Sequence, residues 1–160
     1  MPEDIASQLI EHYESCVLHP YEDARGIPTI GWGNTTYIDG TRVTMNDKTL
    51  VQSEADALFM FWLKDFTAKV SGHVPGAKVN ELGAFVSLAY NIGITAFTGS
   101  TALRQWLRAN KKAAGDGIEM WNKAGGQVLK GLQRRRRAER LVFDGGDPKM
   151  AIVQAEADFP

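Results

Sequence analysis

Three residues near the N-terminus have the types and spacing for hydrolytic chemistry: Glu14, Asp23 and Thr29, within Glu14-Ser-Cys-Val-Leu-His-Pro-Tyr-Glu-Asp23-Ala-Arg-Gly-Ile-Pro-Thr29-Ile-Gly31-Trp-Gly33. Two carboxylates in unlike settings are what cleavage of a glycosidic bond needs. One is kept protonated by a poorly solvated pocket, so that it can donate to the leaving oxygen. The other stays ionised, to activate water or support positive charge on the sugar ring. Glu14 ends a helical pattern beside the apolar Tyr13 and Val17, and Asp23 lies on a glycine-bounded loop. Thr29 sits on the strand that follows, where a hydroxyl that both donates and accepts helps hold a water against the second carboxylate. A plainer reading stands beside this one. Among 19 acidic residues, a Glu and an Asp nine apart recur by chance, one as a helix-end surface group and the other as a turn former.

Positioning these groups requires a helix, a turn-rich strand region and something to brace them. Residues 4–14 predict a short helix, with Ile5, Leu9, Ile10 and Tyr13 at helical spacing. Pro20 interrupts it, and the next segment mixes β-formers with Gly26, Pro28, Gly31, Gly33 and Gly40. Strands are expected over 27–32, 35–38 and 41–44, the last two joined by the turn signal Asp39-Gly40. Ser53 with Asp56 resembles a capping box opening a long helix over 53–71, ended by Gly72 and Pro75. Helices then follow at 81–91 (capped by Asn80), 101–110 (capped by Ser100), 118–123, 128–143 and 148–157. The outline is α+β: one helix, a small β-hairpin region, a long connecting helix and a helical lobe.

Composition narrows the classes. The 160 residues are 44% apolar and 23% charged, the balance of a soluble globular chain. The formal net charge of −1 conceals an asymmetry. Residues 1–80 hold 6 basic and 11 acidic side chains, a net of −5, and residues 81–160 hold 12 and 8, a net of +4. Cys16 is the single cysteine, which excludes an intramolecular disulfide and a Cys-rich zinc site. His12, His19 and His73 have no metal spacing. The polar, acidic N-terminal stretch lacks the pattern of a signal peptide, and no apolar run approaches the ~20 residues that span a bilayer.

The string from Glu14 to Gly33 resembles the N-terminal signature of the phage-type lysozymes, the muramidase endolysins of tailed bacteriophages. That signature is Glu14, Leu18, Tyr21, Asp23, Gly26 and Thr29-Ile30-Gly31-Trp32-Gly33 as it stands here. Two further segments are similar to the family in the same order. They are Tyr90-Asn91-Ile92-Gly93 with Ala96 to Thr101, then Trp121 followed by Gly131-Leu132, Arg135-Arg136 and Glu139-Arg140. Two positions depart from the family pattern: Ser15 stands where Gly is common, and Asn34 where His is common.

The resemblance implies a two-lobed lysozyme-like fold within a single domain over 1–160. A β-containing lobe would occupy about 13–52, a connecting helix 53–72, and a helical lobe 1–12 with 73–160, leaving a cleft between the lobes. It further implies hydrolysis of the β-1,4 bond between N-acetylmuramic acid and N-acetylglucosamine in peptidoglycan. Glu14 would be the general acid, with Asp23 and Thr29 positioning the water for a single displacement with inversion, and Tyr90 and Ser100 as substrate contacts. Inversion requires carboxyls about 6.5–9.5 Å apart. No metal or organic cofactor is implied. The partners expected are peptidoglycan glycan strands, with no nucleic acid, no stable membrane insertion and a monomeric state. The protein would stay in the host cytoplasm until lysis, then reach the wall through a holin pore.

Two other functions use the same substrate. A lytic transglycosylase cuts the same bond without water, yet has no use for Asp23 and Thr29 as water-positioning groups. A non-catalytic wall-binding module would release no reducing ends. Arg134 to Arg137 with Arg140 suggests polyanion binding, but no aromatic stacking residue lies in the run. A solvated helix face with an Arg135–Glu139 pair is the plainer alternative, and the basic stretch 128–143 would attract anionic envelope polymers. Trp62 and its phenylalanine neighbours read as core rather than a membrane stripe. Cys16 lacks the partners of a nucleophile.

Overall fold

The computed structural model describes all 160 residues. The chain divides into two compact units, Glu11–Asp65 and a discontinuous unit of Met1–Ile10 with Phe66–Pro160. It has the two-lobed architecture expected from the sequence, with a β-hairpin in the N-terminal part and a mostly helical C-terminal part.

Helix α1 (Pro2–Tyr13) buries Ala6, Leu9 and Ile10 on the face that the periodicity marked. Glu14 lies just past its end, and β1 (Val17–Glu22) follows. This strand is the first correction, because Pro20 stands within it rather than ending the order. A two-stranded sheet has only edge strands, where a missing N–H is tolerated. The register with β2 (Pro28–Gly31) also slips between Val17 and Tyr21, so the proline falls in an irregular stretch. Tyr21 pairs with Thr29 and Glu22 with Pro28. The strands expected over 35–38 and 41–44 shrink to one bridge, Thr36 with Arg42, around a turn at Gly40 with φ +89°.

The core of this unit is Ile30, Val43 and Leu58, with Tyr37, Leu50 and Trp62 packed on it. Trp62 Nε1 donates to the Thr36 carbonyl at 2.9 Å, so the aromatic is core and also satisfies a backbone acceptor of the hairpin. Helix α2 (Gln52–His73) opens differently from expectation. The carboxylate reaching back is Glu54, which accepts from the Val51 N–H at 3.1 Å. Asp56 instead accepts from Trp32 Nε1 and from Gln52 Nε2, each at 2.8 Å.

The second unit is built on α3 (Val79–Ile92), α4 (Ile94–Thr98), α5 (Thr101–Leu107), α6 (Lys111–Glu119), α7 (Lys130–Phe143) and α8 (Pro148–Asp158). Its centre is aromatic. Phe85 meets Phe97, Trp106 and Phe143 at ring-centroid distances of 5.5, 5.6 and 5.2 Å. Burying each such ring is worth about 1.5–3 kcal/mol.

Two local expectations change here. Asn80 does not cap α3, whose N-cap is Lys78. Its amide donates to the Val142 and Phe143 carbonyls at 3.1 and 3.0 Å, closing the free end of α7 from across the unit. The helix expected over 118–123 lies earlier, as α6, with Asn110 accepting from the Ala113 N–H. Lys123–Ala124 (β3) then pairs with Gln127–Val128 (β4) around Gly125-Gly126, both at positive φ, the geometry of a tight hairpin turn. No helix is long and apolar enough to cross a membrane.

Candidate active site

Glu14, Asp23 and Thr29 all belong to the Glu11–Asp65 unit. Asp23 stands where β1 turns toward β2. Its backbone closes the turn, with its N–H donating to the Ile27 carbonyl at 3.0 Å and Gly26 N–H donating to its own carbonyl at 2.9 Å. Gly26 adopts φ +77°, which the sequence supplies with the one residue type suited to it. The carboxylate turns back onto the loop: Asp23 Oδ1 accepts from the Arg25 and Ile27 N–H groups at 2.8 and 2.9 Å. These bonds favour the ionised form. The Ile27 N–H is the largest cause, opposed by partial desolvation and aided by Arg25, and together they hold the Asp23 carboxyl below its ordinary range.

Thr29 is buried on β2, and its hydroxyl donates to the Ile27 carbonyl at 2.8 Å. The hydrogen of that hydroxyl is therefore committed, which leaves its oxygen as an acceptor. Glu14 is half-buried in the segment between α1 and β1.

Tyr21 joins the group, and sequence reasoning placed it in a motif without giving it a role. It faces Thr29 across the hairpin. Burial raises its phenol pKa above the ordinary value, and the negative charges of Glu14 and then Asp23 push it further the same way, with Cys16 adding a smaller effect. No alternation along Val17–Glu22 announces the strand, whose burial pattern lacks a period of two, so its pairing with β2 is what gives Tyr21 its place.

The remaining candidates lie in the other unit. Tyr90 packs edge-on against Phe66 with ring centroids 5.9 Å apart. Ser100 is buried, donates to the Phe97 carbonyl at 2.7 Å and accepts from the Leu103 N–H at 3.2 Å, so its hydroxyl caps α5. Asn34, back in the Glu11–Asp65 unit, is also buried, and its Oδ1 has no hydrogen-bond partner. No group of three His, Cys, Asp or Glu side chains is placed to hold a metal ion.

The basic stretch 128–143 differs from the cationic face expected of it. Arg135 and Arg136 are 3% and 1% exposed and share Glu139, at 3.2 and 2.7 Å. Glu139 also accepts from Ser87 Oγ at 2.7 Å. Arg137 pairs with Asp158 at 2.8 Å, and Arg140 with Asp116 at 2.7 Å and Asp144 at 2.9 Å. Most of the charge is thus engaged within the unit instead of being presented to an envelope polymer. The expected Arg135–Glu139 pair is present, but buried.

Known proteins supply a frame for this geometry. Residues 11–139 match the phage lysozyme family. The chain is 40% identical over 128 residues to the endolysin of Salmonella phage P22, across 79% of this chain and 86% of that protein. Its fold is similar to the crystal structure of a P22 lysozyme mutant, with TM-score 0.75, 36% identity, and coverage of 89% of this chain and 96% of that one. It is also similar to the muramidase domain of SpmX from Asticaccaulis excentricus, with TM-score 0.69, 30% identity, and coverage of 86% and 93%.

Proposed function

The chain belongs to the phage lysozyme family, and from that premise we propose that it is an endolysin-type muramidase. It hydrolyses the β-1,4 bond between N-acetylmuramic acid and N-acetylglucosamine in bacterial peptidoglycan. Glu14 gives its carboxyl proton to the glycosidic oxygen as the C1–O bond breaks. Water attacks the anomeric carbon from the opposite face, and Asp23 takes the proton that the water loses. One displacement inverts the configuration at that carbon.

The observation that carries this reading is the pair of acceptors on one hairpin. Asp23 is ionised and fixed by two backbone N–H groups, and Thr29 presents only lone pairs because its hydrogen is bound to Ile27. A water that donates one hydrogen to each has its own lone pair left for the sugar. An activated water, and not an internal hydroxyl of the sugar, is what such a pair serves.

The test is product analysis on purified sacculi, with wild type beside Glu14→Gln. The wild type should release reducing ends whose newly formed anomer is α, seen by proton NMR before mutarotation. Glu14→Gln should fold normally and clear permeabilised Gram-negative cells at least ~100-fold more slowly, the scale of a lost general acid. Wild-type lysis by Glu14→Gln would overturn the assignment. Products one water lighter, ending in a 1,6-anhydro sugar, would make the enzyme a transglycosylase.

A further inference from the structure

A cavity of about 750 Å³ opens in the Glu11–Asp65 unit, and neither Glu14, Asp23 nor Thr29 lines it. Its walls are the turn at residues 37–41, the loop at 44–50 and the first turns of α2, and each is pinned. Tyr37 N–H donates to the Thr41 carbonyl at 2.8 Å, and Asp39 Oδ1 accepts from the Thr41 N–H and hydroxyl at 2.9 and 2.7 Å. Asp47 ties the loop to the turn, accepting from the Tyr37 hydroxyl at 2.8 Å and from the Thr44 N–H and hydroxyl at 2.8 and 2.7 Å. Leu50 N–H donates to the Leu18 carbonyl at 2.8 Å. A cavity whose walls are already held loses little freedom on binding, so its occupant need not order it.

The lining has two characters. Leu58 and Leu50 present the apolar side of the unit's core, with the Tyr37 ring beside them. Asp39, Asp47 and Glu54 bring three carboxylates against the single ammonium of Lys48. Both oxygens of Asp47 are engaged by Thr44 and Tyr37. Asp39 uses Oδ1 and Glu54 uses Oε2 in their turn bonds, so the second oxygen of each takes no part in them. An anion is disfavoured by this net charge, and a bare metal ion gains nothing from the leucines.

We propose that this cavity is a second ligand site, which takes an apolar group ending in a primary ammonium. The apolar body lies on Leu50, Leu58 and the Tyr37 ring, and the ammonium meets the Asp39 and Glu54 carboxylates. The site works independently of the hydrolytic residues, and Lys48 opposes binding by like-charge repulsion.

Titration of the 15N-labelled full chain with 4-phenylbutylamine at neutral pH, followed by amide NMR, tests this. Saturable shifts should centre on Ile38, Leu50 and Leu58, in wild type and Glu14→Gln alike. The uncharged 4-phenylbutanol should bind at least about tenfold more weakly, the equivalent of one good charged contact, and spermidine, which keeps the charge but lacks the apolar body, should also bind more weakly. Glu54→Gln and Asp39→Asn keep their turn bonds and should each weaken binding about threefold, whereas Lys48→Met should strengthen it about as much. Equal affinity for the amine and the alcohol would overturn the proposal. So would equal affinity for spermidine, shifts centred elsewhere, or charge variants without these opposite signs.

Discussion

Asp23 and Thr29 are tied to the two ends of one residue: the Ile27 N–H donates to the Asp23 carboxylate at 2.9 Å, and the Ile27 carbonyl accepts from the Thr29 hydroxyl at 2.8 Å. The backbone of Ile27 therefore favours the ionised form of the aspartate and fixes the hydrogen direction of the threonine. In the proposed mechanism the two serve as one acceptor unit, held by the tip of the hairpin.

Thr29→Ser keeps the hydroxyl and its bond to Ile27, and should retain most of the hydrolytic rate. Thr29→Val keeps the shape but removes the acceptor, and should lower kcat about 10- to 100-fold. It also deprives the Ile27 carbonyl of a donor, a loss of about 1 kcal/mol in stability. Steady-state rates on purified sacculi, with thermal melts of both variants, separate the two effects.

Asp23→Asn preserves an oxygen for the two backbone N–H groups and should leave the fold in place while reducing the hydrolytic rate at least ~100-fold. The wild-type carboxyl lies below the ordinary value of 3.8 because Ile27 and Arg25 hold its ionised form. Its folded pKa is depressed, so its contribution to stability is complete above the unfolded value and is lost as pH falls through the folded one. The acid limb of kcat/KM attributable to Asp23 should likewise have its midpoint below the ordinary value of 3.8. A pH–rate profile on a soluble glycan fragment measures this limb.

Tyr21 reports on the charge of the carboxylates beside it. With 13C-labelled tyrosine, its phenol should titrate above 10.0, because burial and then Glu14 and Asp23 disfavour the phenolate. Glu14→Gln should bring that value part of the way back, since the burial contribution remains. An unchanged titration would place the Glu14 charge farther from Tyr21 than the structure has it.

Glu139 is fully buried between Arg135 and Arg136 and accepts from Ser87. Glu139→Gln removes the negative charge from two buried guanidiniums and should cost about 3–5 kcal/mol, read by urea denaturation. Ser87→Ala removes one hydrogen bond to a charged group and should cost about 1.5–3 kcal/mol.

Two glycines separate propensity from packing. A Cβ at Gly117 would stand 2.6 Å from the Ala102 backbone nitrogen, where α6 crosses the start of α5. Gly117→Ala should therefore destabilise by about 1–3 kcal/mol despite the better helix former. Gly72, near the end of α2, has nothing within 4 Å of such a Cβ. Gly72→Ala should stabilise by up to about 1 kcal/mol, and thermal melts of the pair check both signs.

Much of the molecule was legible along the chain. Helical periodicity marked α1, α2, α3 and α7 with small errors at their ends, and Ser100 was read correctly as the cap of α5. These features depend on residues three or four apart, which meet whatever the rest of the chain does. The misreadings came from elements whose support lies elsewhere. Pro20 breaks a strand only if its N–H is needed, and the slipped register of β1 on β2 removes that need. Asn80 has the form of a helix cap, but its partners are 62 and 63 residues away.

Residue type and spacing along the chain were enough to single out Glu14, Asp23 and Thr29 as candidates and to put the aspartate on a glycine-bounded turn. Spacing and residue type suffice for that, because the turn closes within five residues. The pairing of charges, by contrast, emerges only once the helices are packed. The arginines of α7 are drawn inward by Glu139 and met by acids from α6 and α8, so the basic run is mostly an internal network. Low local dielectric makes each unpaired charge costly, and pairing follows proximity in space, which a linear run of arginines does not disclose.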